Sequence, residues 1–308
     1  MSSYQFLEVE DVEADMGFDH WLFHERKHAL LQAPDGWRIF AIKKKDKIVA
    51  QVRFYAAEGI ARASVKSPFG TIQFIKELPP DVLFSFIQFY EIELKKLGVD
   101  SIIIKNPPTD YAPFQNELLT VSLLNLGYTI ENAEVGAVLP IKDVFENKLD
   151  NWEQRKLRQA EEGGLLSKQF DIHRLEEIYT FILNCREERD QKLSLTYTEL
   201  KRIVDAYPDR FILHGILENE KLAAASICIR INTHILYNFY SAHAKEYDQV
   251  SPAVLLIKAV YEFCLTTKIK LLDLGTSALD GKPNFGLLDF KIRLGGKPSP
   301  KYTFHKRL

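Results

Sequence analysis

The chain lacks the features that mark several large classes of protein. Its 308 residues include only three cysteines, Cys185, Cys228 and Cys264, which cannot all pair and do not have the spacing of metal ligands. No run approaches the roughly 18 uncharged apolar residues that a membrane-spanning helix requires. The formal net charge is only −2, so bulk electrostatics does not demand a nucleic-acid or membrane partner.

What is present is typical of an ordinary globular protein. Hydrophobic residues make up 46% of the chain, enough to bury sizeable cores, and the length suits one large domain or two of ordinary size. Residues 1–13 are acidic and lack the basic-then-apolar pattern of a secretory signal. We therefore expect a cytoplasmic protein without membrane insertion and without a bound metal. The sequence gives no indication of the oligomeric state.

One order of predicted elements occurs in both halves of the chain. A strand, a charged turn and a second strand in residues 38–50 have a counterpart in residues 210–224. A proline then opens an amphipathic helix, Pro80 in the first half and Pro252 in the second. Each helix is followed by an apolar strand and by a helical stretch that ends at glycine. This order favours a tandem duplication, although unrelated α/β proteins also repeat such elements.

The strongest local pattern lies in residues 236–256, where a strand and a short loop lead to a helix. Pro252 suits the first helical position, and Ser251 is placed to cap the helix with its side chain. Unpaired amides at a helix N-terminus form a ready site for an anion, such as a pyrophosphate or a carboxylate. The plainer interpretation is an ordinary, well-capped helix.

Several segments together resemble the GNAT acyltransferase superfamily and, within it, the tandem GNAT proteins related to the Fem aminoacyltransferases. The resemblance covers most of the chain, and its motifs are individually weak but occur in the family's order. These segments are residues 67–70 (SPFG), 155–160 (RKLRQA), 240–243 (YSAH) with 251–252 (SP), 272–275 (LDLG) and 286–296 (GLLDFKIRLGG).

The resemblance implies an α+β fold of two tandem GNAT-like lobes, which we expect in residues 1–145 and 146–308. Each lobe would be a mixed, mainly antiparallel twisted sheet flanked by helices, with a V-shaped opening between two central strands. The implied activity is transfer of an acyl or aminoacyl group to a small-molecule or peptide amine. The donor, held by the second lobe, would be an acyl-CoA such as acetyl-CoA, or an aminoacyl-tRNA.

The resemblance also places the donor's phosphates on backbone amides before the central helix of the second lobe. The glycine-rich signature of that loop is absent, and Pro252 donates no hydrogen bond. This departure favours the Fem-type donor, aminoacyl-tRNA, over acetyl-CoA. The predicted donor-binding residues are Gln249, Val250, Ser251, Ala253 and Lys291.

Three side chains are candidates for the chemistry. Tyr240 could donate a proton, His243 could act as a base near neutral pH, and Asp273 interrupts an apolar strand. A buried carboxylate needs a partner, which Lys291 or Arg293 could supply. The plainer interpretations are a half-buried aromatic residue, a surface histidine and a structural ion pair.

Four further residues are predicted to contact substrate. Arg155 and Arg158 belong to a charged helix that could meet phosphates, although nearby glutamates also suit a solvated helix face. Asn238 and Asn284 complete this group.

Two other classes of function remain open at this stage. A degenerate GNAT-like module could bind a ligand or partner without catalysis, as the missing glycine signature would allow. An unrelated two-domain nucleotide-binding protein would require a glycine-rich fingerprint, which the chain does not contain.

Overall fold

The computed structural model describes residues 4–10, 16–279 and 282–308, and the chain divides into two compact units. Unit 1 comprises Met1–Glu134 and Ser299–Leu308, and unit 2 comprises Val135–Pro298. The division therefore differs from the expected lobes, 1–145 and 146–308, because the end of the chain belongs with its beginning.

The first part of the chain forms a sheet and three helices. Its elements are β1 (Tyr4–Val9), α1 (Arg26–Gln32), β2 (Trp37–Lys44), β3 (Lys47–Ala57), β4 (Ile60–Arg62), β5 (Gln73–Phe74), α2 (Pro80–Lys96), β6 (Ser101–Lys105), α3 (Pro113–Asn125) and β7 (Thr129–Pro140).

The rest of the chain repeats much of this order. Its elements are α4 (Asn151–Glu162), β8 (Leu166–Phe170), α5 (Leu175–Glu187), α6 (Tyr197–Ala206), β9 (Phe211–Glu218), β10 (Lys221–Arg230), β11 (Ile235–His243), α7 (Pro252–Thr266), β12 (Leu271–Thr276), β13 (Ala278–Leu279), β14 (Lys282–Pro283), α8 (Phe285–Arg293) and β15 (Lys297–Arg307).

The sheet of unit 1 has the strand order β1-β2-β3-β4-β6-β15. β4 and β6 run parallel, whereas the other neighbouring strands in this series run antiparallel. Helix α2 covers the sheet because its apolar residues recur every three or four positions and so share one face. The buried residues of that face are Leu83, Phe86, Ile87, Tyr90 and Leu94.

The sheet of unit 2 has the order β7-β12-β11-β10-β9-β8. Here β11 and β12 are the parallel neighbours, and the remaining pairs are antiparallel. Helix α7 begins with Pro252, whose missing N–H would have no partner in a first helical turn. Most of α7 is buried in the core of the unit, from Val254 to Cys264.

The last strand in each sheet comes from an unexpected part of the chain. In unit 2, the end of β7 pairs with β12, with Leu139 opposite Leu272. In unit 1, β15 pairs with β6, with Phe304 opposite Ile104. The strand that follows the helices of the first repeat thus completes unit 2, and the strand that follows those of the second repeat completes unit 1.

The loop formed by residues 64–71 in unit 1 is held at both ends. The amide of Gly70 donates to the carbonyl of Lys105, the last residue of β6, at 2.9 Å. A Cβ at Gly70 would lie 1.8 Å from the carbonyl oxygen of Ala63, so only glycine fits there. At the other end, Oε1 of Gln32 accepts hydrogen bonds from three successive amides, those of Val65, Lys66 and Ser67.

Candidate functional site

The two parallel strands of unit 2 separate along their length. β11 and β12 are paired from Ile235↔Leu271 to Tyr237↔Asp273, but β11 continues to His243 and β12 to Thr276. Their separated ends leave an opening in the sheet next to the start of α7, as the GNAT resemblance implies.

A cavity of about 430 Å³ lies at this opening. Its walls come from the end of α5, the end of β11, the first turns of α7, and α8, all within unit 2. Apolar side chains form much of the wall, namely Val254, Leu256, Ile257, Leu274, Leu287, Phe290 and Leu294. The charged residues in the wall are Lys156, Arg186, Arg189, Asp248 and Lys291, so positive charge predominates.

Two arginines hold the end of β11 against the end of α5. Nη2 of Arg186 donates to the carbonyl of Ser241 at 2.8 Å, and Nη1 of Arg189 donates to the carbonyl of His243 at 3.1 Å. Arg189 also forms an ion pair with Asp248 at 2.9 Å. The guanidinium groups are therefore fixed in position by the backbone of the strand that opens the cavity.

This arrangement places positive charge in a partly desolvated site. Burial lowers the pKa of Arg186, and the charge of Arg189 lowers it further. The Nε atom of Arg186 is buried without a hydrogen-bond acceptor among the described residues. An anion bound in the cavity would offset this repulsion and supply acceptors.

Lys291 lies at the other side of the opening. Its ammonium group donates to the carbonyls of Gly275 and Thr276, at 2.8 and 2.9 Å, and its side chain is 6% exposed. Burial lowers its pKa to about 8, although the charge of Asp273 opposes this shift. The carbonyls at the end of β12 thus bind the Lys291 ammonium group, which titrates close to neutral pH.

His243 lines the cavity and is oriented by a carboxylate. Its Nε2 lies 2.8 Å from Oδ1 of Asp248. Because an ionised carboxylate only accepts hydrogen bonds, this contact favours the tautomer with the hydrogen on Nε2 and the basic nitrogen at Nδ1, whereas the donor Nη2 of Arg189, 3.4 Å from Nε2, favours the other tautomer. Burial lowers the pKa of His243 despite the attraction of Asp248, so the ring is mainly neutral at pH 7.

The other two catalytic candidates have different surroundings. The hydroxyl of Tyr240 shares a hydrogen bond with Oγ of Ser194 at 2.7 Å and accepts from the amide of Leu195 at 2.9 Å. Asp273 accepts from the amide of Gly275 at 2.7 Å and is buried. Neither residue is in the cavity wall. The suggested partner Arg293 forms ion pairs with Glu153 and Asp289 instead.

The predicted donor loop is only partly directed at the cavity. Ser251 and Ala253 line it, whereas Gln249 and Val250 do not. The amides of Val250 and Ser251 donate to the carbonyl of Tyr247, at 3.1 and 3.2 Å. The prediction that the Ser251 side chain caps α7 is wrong, because the residue adopts a left-handed conformation, with φ of 51°, and its hydroxyl makes no capping bond.

Of the four residues predicted to contact substrate, two line the cavity and two do not. Asn238 and Asn284 are in the cavity wall, and Oδ1 of Asn284 caps α8 by accepting from the amide of Leu287 at 3.0 Å. Arg155 and Arg158 are exposed on α4 and do not line the cavity, but Lys156 between them does.

Sequence reasoning did not find Arg186 and Arg189. They lie three positions apart in residues 185–190 (CREERD), a stretch that contains the end of α5. Such a stretch is usually solvated, and its spacing puts both arginines on one helical face, but only the fold shows what that face meets.

Other chemical groups contribute little. Cys185 lines the cavity, but burial raises its pKa to about 11, so its thiol is protonated and weakly nucleophilic. Among the described residues, no group of three or more His, Cys, Asp or Glu side chains could hold a metal ion. Within the same residues, no helix combines the length and apolar composition needed to cross a membrane.

Comparison with known proteins identifies the fold. No protein-family model matches the chain, and no curated protein is detectably similar to it. The structure of FemX is similar with a TM-score of 0.69 and 15% identity, covering 93% of this chain and 92% of FemX. A tandem GNAT protein from the clavulanic acid biosynthesis pathway gives a TM-score of 0.52 and 12% identity, covering 88% of this chain and 82% of its own.

A third similar structure is L-PGS from Bacillus licheniformis, with a TM-score of 0.55 and 12% identity, covering 87% of this chain and 83% of L-PGS. At such low identity these structures establish the fold alone. The chain therefore has a GNAT/Fem-like fold, and the expected fold class is confirmed.

Proposed function

We propose that this protein is an N-acyltransferase that moves an acyl or aminoacyl group from a phosphate-bearing donor to an amine. Unit 2 holds the donor, which is an acyl-CoA such as acetyl-CoA or an aminoacyl-tRNA. The acceptor is a small molecule or a peptide. The GNAT-like fold supports this class of reaction.

One observation carries the proposal. The opening between β11 and β12 leads into a cavity whose wall contains Arg186, Arg189 and Lys291. Both kinds of donor present phosphates next to an apolar or acyl group, and this wall combines cations with apolar side chains. The guanidinium and ammonium groups suit phosphate oxygens.

The same wall offers groups for the chemical step. The amine attacks the carbonyl carbon, so a C–N bond forms and the C–S or C–O bond to the donor breaks. The Nδ1 atom of His243 accepts the proton that the amine loses. The Lys291 ammonium, with a pKa of about 8, supplies positive charge to the carbonyl oxygen and a proton to the leaving group.

In this scheme Tyr240 and Asp273 are positioning residues. Tyr240 fixes the loop that contains Ser194 and Leu195 beside β11. Asp273 shapes the end of β12 through the Gly275 amide and favours the charged form of Lys291. Gln249, Val250, Arg155 and Arg158 would contact only the outer part of a donor.

A second candidate function is binding without catalysis. The amides of Val250 and Ser251 are already used within their loop, and Pro252 has none to offer. A GNAT-like unit that has lost its amide cradle could retain ligand binding through side-chain cations alone. Binding of an acyl donor without turnover would identify this case.

The test is calorimetric titration of the full chain with acetyl-CoA and, separately, with an aminoacylated RNA minihelix. We expect at least one donor to bind, and Arg186→Ala or Lys291→Ala to weaken it by about 10- to 100-fold, as expected for a lost charge-assisted contact.

Lys270→Ala is the matched control, because it removes one positive charge from an exposed position outside the cavity. Its affinity for the donor should remain close to that of the wild type. The donor-site proposal fails if neither donor binds, or if all three variants weaken binding equally.

A further inference from the structure

An exposed tryptophan lies next to the donor cavity and has no role in the scheme above. Trp152 is in the first turn of α4, and 52% of its surface is exposed. Trp21 and Trp37 are the other two tryptophans of the chain, and both belong to unit 1. Trp152 is therefore the single tryptophan of unit 2.

Two cations lie over the indole ring. The guanidinium carbon of Arg155 is 5.1 Å from the ring centre, and Nζ of Lys156 is 5.7 Å from it. Lys156 also lines the cavity. The exposed ring and the cavity are thus adjoining parts of one surface, and Lys156, which is also ion-paired with Glu153 at 3.4 Å, lies where they meet.

Helix α8 brings a second exposed aromatic ring to the neighbourhood of the cavity. Phe285 is 73% exposed, and the residues on either side of its turn, Asn284 and Leu287, line the cavity. The helices that carry Trp152 and Phe285 are joined by an ion pair between Glu153 and Arg293, at 3.2 Å. Because Glu153 is fully buried, this link fixes the position of α4 relative to α8.

Aromatic rings beside cations are a common means of binding a nucleotide without base-specific hydrogen bonds. A base stacks on the ring because every base has a π face, and the neighbouring cations contact its phosphates. An isolated exposed aromatic residue would need no explanation. The combination of ring, two cations and an adjoining cationic cavity does need one.

We propose that Trp152, Arg155 and Lys156 form a stacking site for the adenosine phosphate portion of the donor. This inference rests on the proposed function, and it names the part of the donor that lies outside the cavity. Coenzyme A carries an adenosine with phosphates at one end, and aminoacyl-tRNA ends in an adenosine that carries the aminoacyl group. The stacked group is common to both sources.

The first experiment measures binding of adenosine 3′,5′-bisphosphate, using tryptophan fluorescence and calorimetry on the full chain. We expect the nucleotide to quench Trp152, and Trp152→Ala to weaken binding by about 5- to 100-fold, the range for losing one base-stacking contact. Trp152→Phe retains a ring and should recover most of the affinity. Trp37→Phe, a ring change in unit 1, is the control and should not alter it.

Matched ligand pairs then distinguish the two sources. The first pair is acetyl-CoA and acetyl-4′-phosphopantetheine, which lacks the adenosine. The second is an RNA minihelix ending in CCA and one ending in CC. We expect Trp152→Ala to weaken only the adenosine-bearing member of the pair that the protein uses.

The results of these experiments separate the stacking site from the transferase proposal. Equal weakening of both members of a pair, or no wild-type binding of the bisphosphate, overturns the stacking site. Trp152-dependent nucleotide binding without any acyl transfer supports the stacking site and contradicts the transferase proposal. Because Trp152 is exposed, its substitution should leave the thermal unfolding midpoint almost unchanged, which confirms that the variants are folded.

Discussion

The two units share much of their succession of strands and helices but differ beside their parallel strand pair. In unit 2, β11 leaves β12 after Tyr237, and the carbonyls at the end of β12 are bound by the Lys291 ammonium. In unit 1, the chain after β4 loops back so that Gly70 pairs with Lys105 at the end of β6. The place that an ammonium group occupies in unit 2 is taken by main chain in unit 1.

This difference shows how one arrangement of strands can serve two purposes. Loop 64–71 supplies backbone hydrogen bonds and buries Phe69, which is 1% exposed and packs edge-on against Trp21. Unit 1 thereby gains internal packing at the equivalent position. Unit 2 keeps an opening lined by cations, which is costly for stability and useful for binding an anion. Three changes test this contrast.

The tightly closed loop 64–71 of unit 1 should be the feature most sensitive to substitution. Gly70→Ala places a Cβ 1.8 Å from the oxygen and 2.4 Å from the carbon of the Ala63 carbonyl, which are backbone atoms that cannot rotate away. We expect the free energy of unfolding to fall by more than about 3 kcal/mol. Denaturant unfolding followed by Trp21 fluorescence measures this change, since Trp21 contacts Phe69 of the same loop.

Gly286→Ala in α8 of unit 2 is the matched control. Its added Cβ would have Asn284 Oδ1 as nearest neighbour, at 3.7 Å, which is ordinary contact. Within a helix this change should be neutral or stabilising by up to about 1 kcal/mol. Similar decreases in the free energy of unfolding for Gly70→Ala and Gly286→Ala would contradict a tightly closed loop in unit 1.

The second test uses pH. Burial lowers the pKa of His28 in unit 1 to about 4, and His28 shares a hydrogen bond with Gln32, which holds loop 64–71. The neutral ring is favoured in the folded state, so its contribution is complete above about pH 6.5 and is lost as pH falls towards 4. The difference between these pKa values corresponds to at most about 3 kcal/mol.

We expect His28→Gln to reduce the loss of stability of unit 1 between pH 6.5 and 4.5, as measured by denaturant unfolding at several pH values. His214, with a pKa also lowered to about 4 by burial, provides the counterpart in unit 2. His214→Gln should flatten the acid dependence of that unit alone. An unchanged pH dependence in both variants would rule out this contribution.

The smallest expected effect concerns Lys291, which takes the place of main-chain pairing in unit 2. Because its pKa is about 8, its positive charge disappears as pH rises from 7 to 9. Affinity for an anionic donor should fall above pH 8, by at most about tenfold per pH unit. Lys291→Arg keeps its charge throughout this range, so its profile should be flat. A flat profile in the wild type would remove Lys291 from the donor site.

Part of the fold that underlies this contrast could be predicted from the sequence. Pro80 and Pro252, each followed by apolar residues at helical spacing, correctly mark the starts of α2 and α7. These helices and the hairpins before them also reveal the repeated order. β8 has no such pattern, because four of its five residues are exposed at the edge of the sheet.

Less of the candidate site could be predicted from the sequence. His243 and Lys291 are cavity residues that belong to the motifs 240–243 and 286–296, and the cavity residues Asn238 and Asn284 lie two residues before these motifs. Arg186 and Arg189 gave no comparable signal, since arginines among acidic residues at a helix end are usually solvated. What brings them to the cavity is the packing of α5 against β11, a contact distant in sequence.

The exchanged last strands have a consequence for how the protein is made. Ile102 and Ile104 of β6 are fully buried in the finished unit, and their partner strand is β15. During translation, β6 leaves the ribosome long before residues 297–307 exist. Its edge therefore stays unpaired and open to pairing with other chains until residues 297–307 have been synthesised. Although unit 1 begins to emerge first, it cannot be complete before unit 2 has been fully translated.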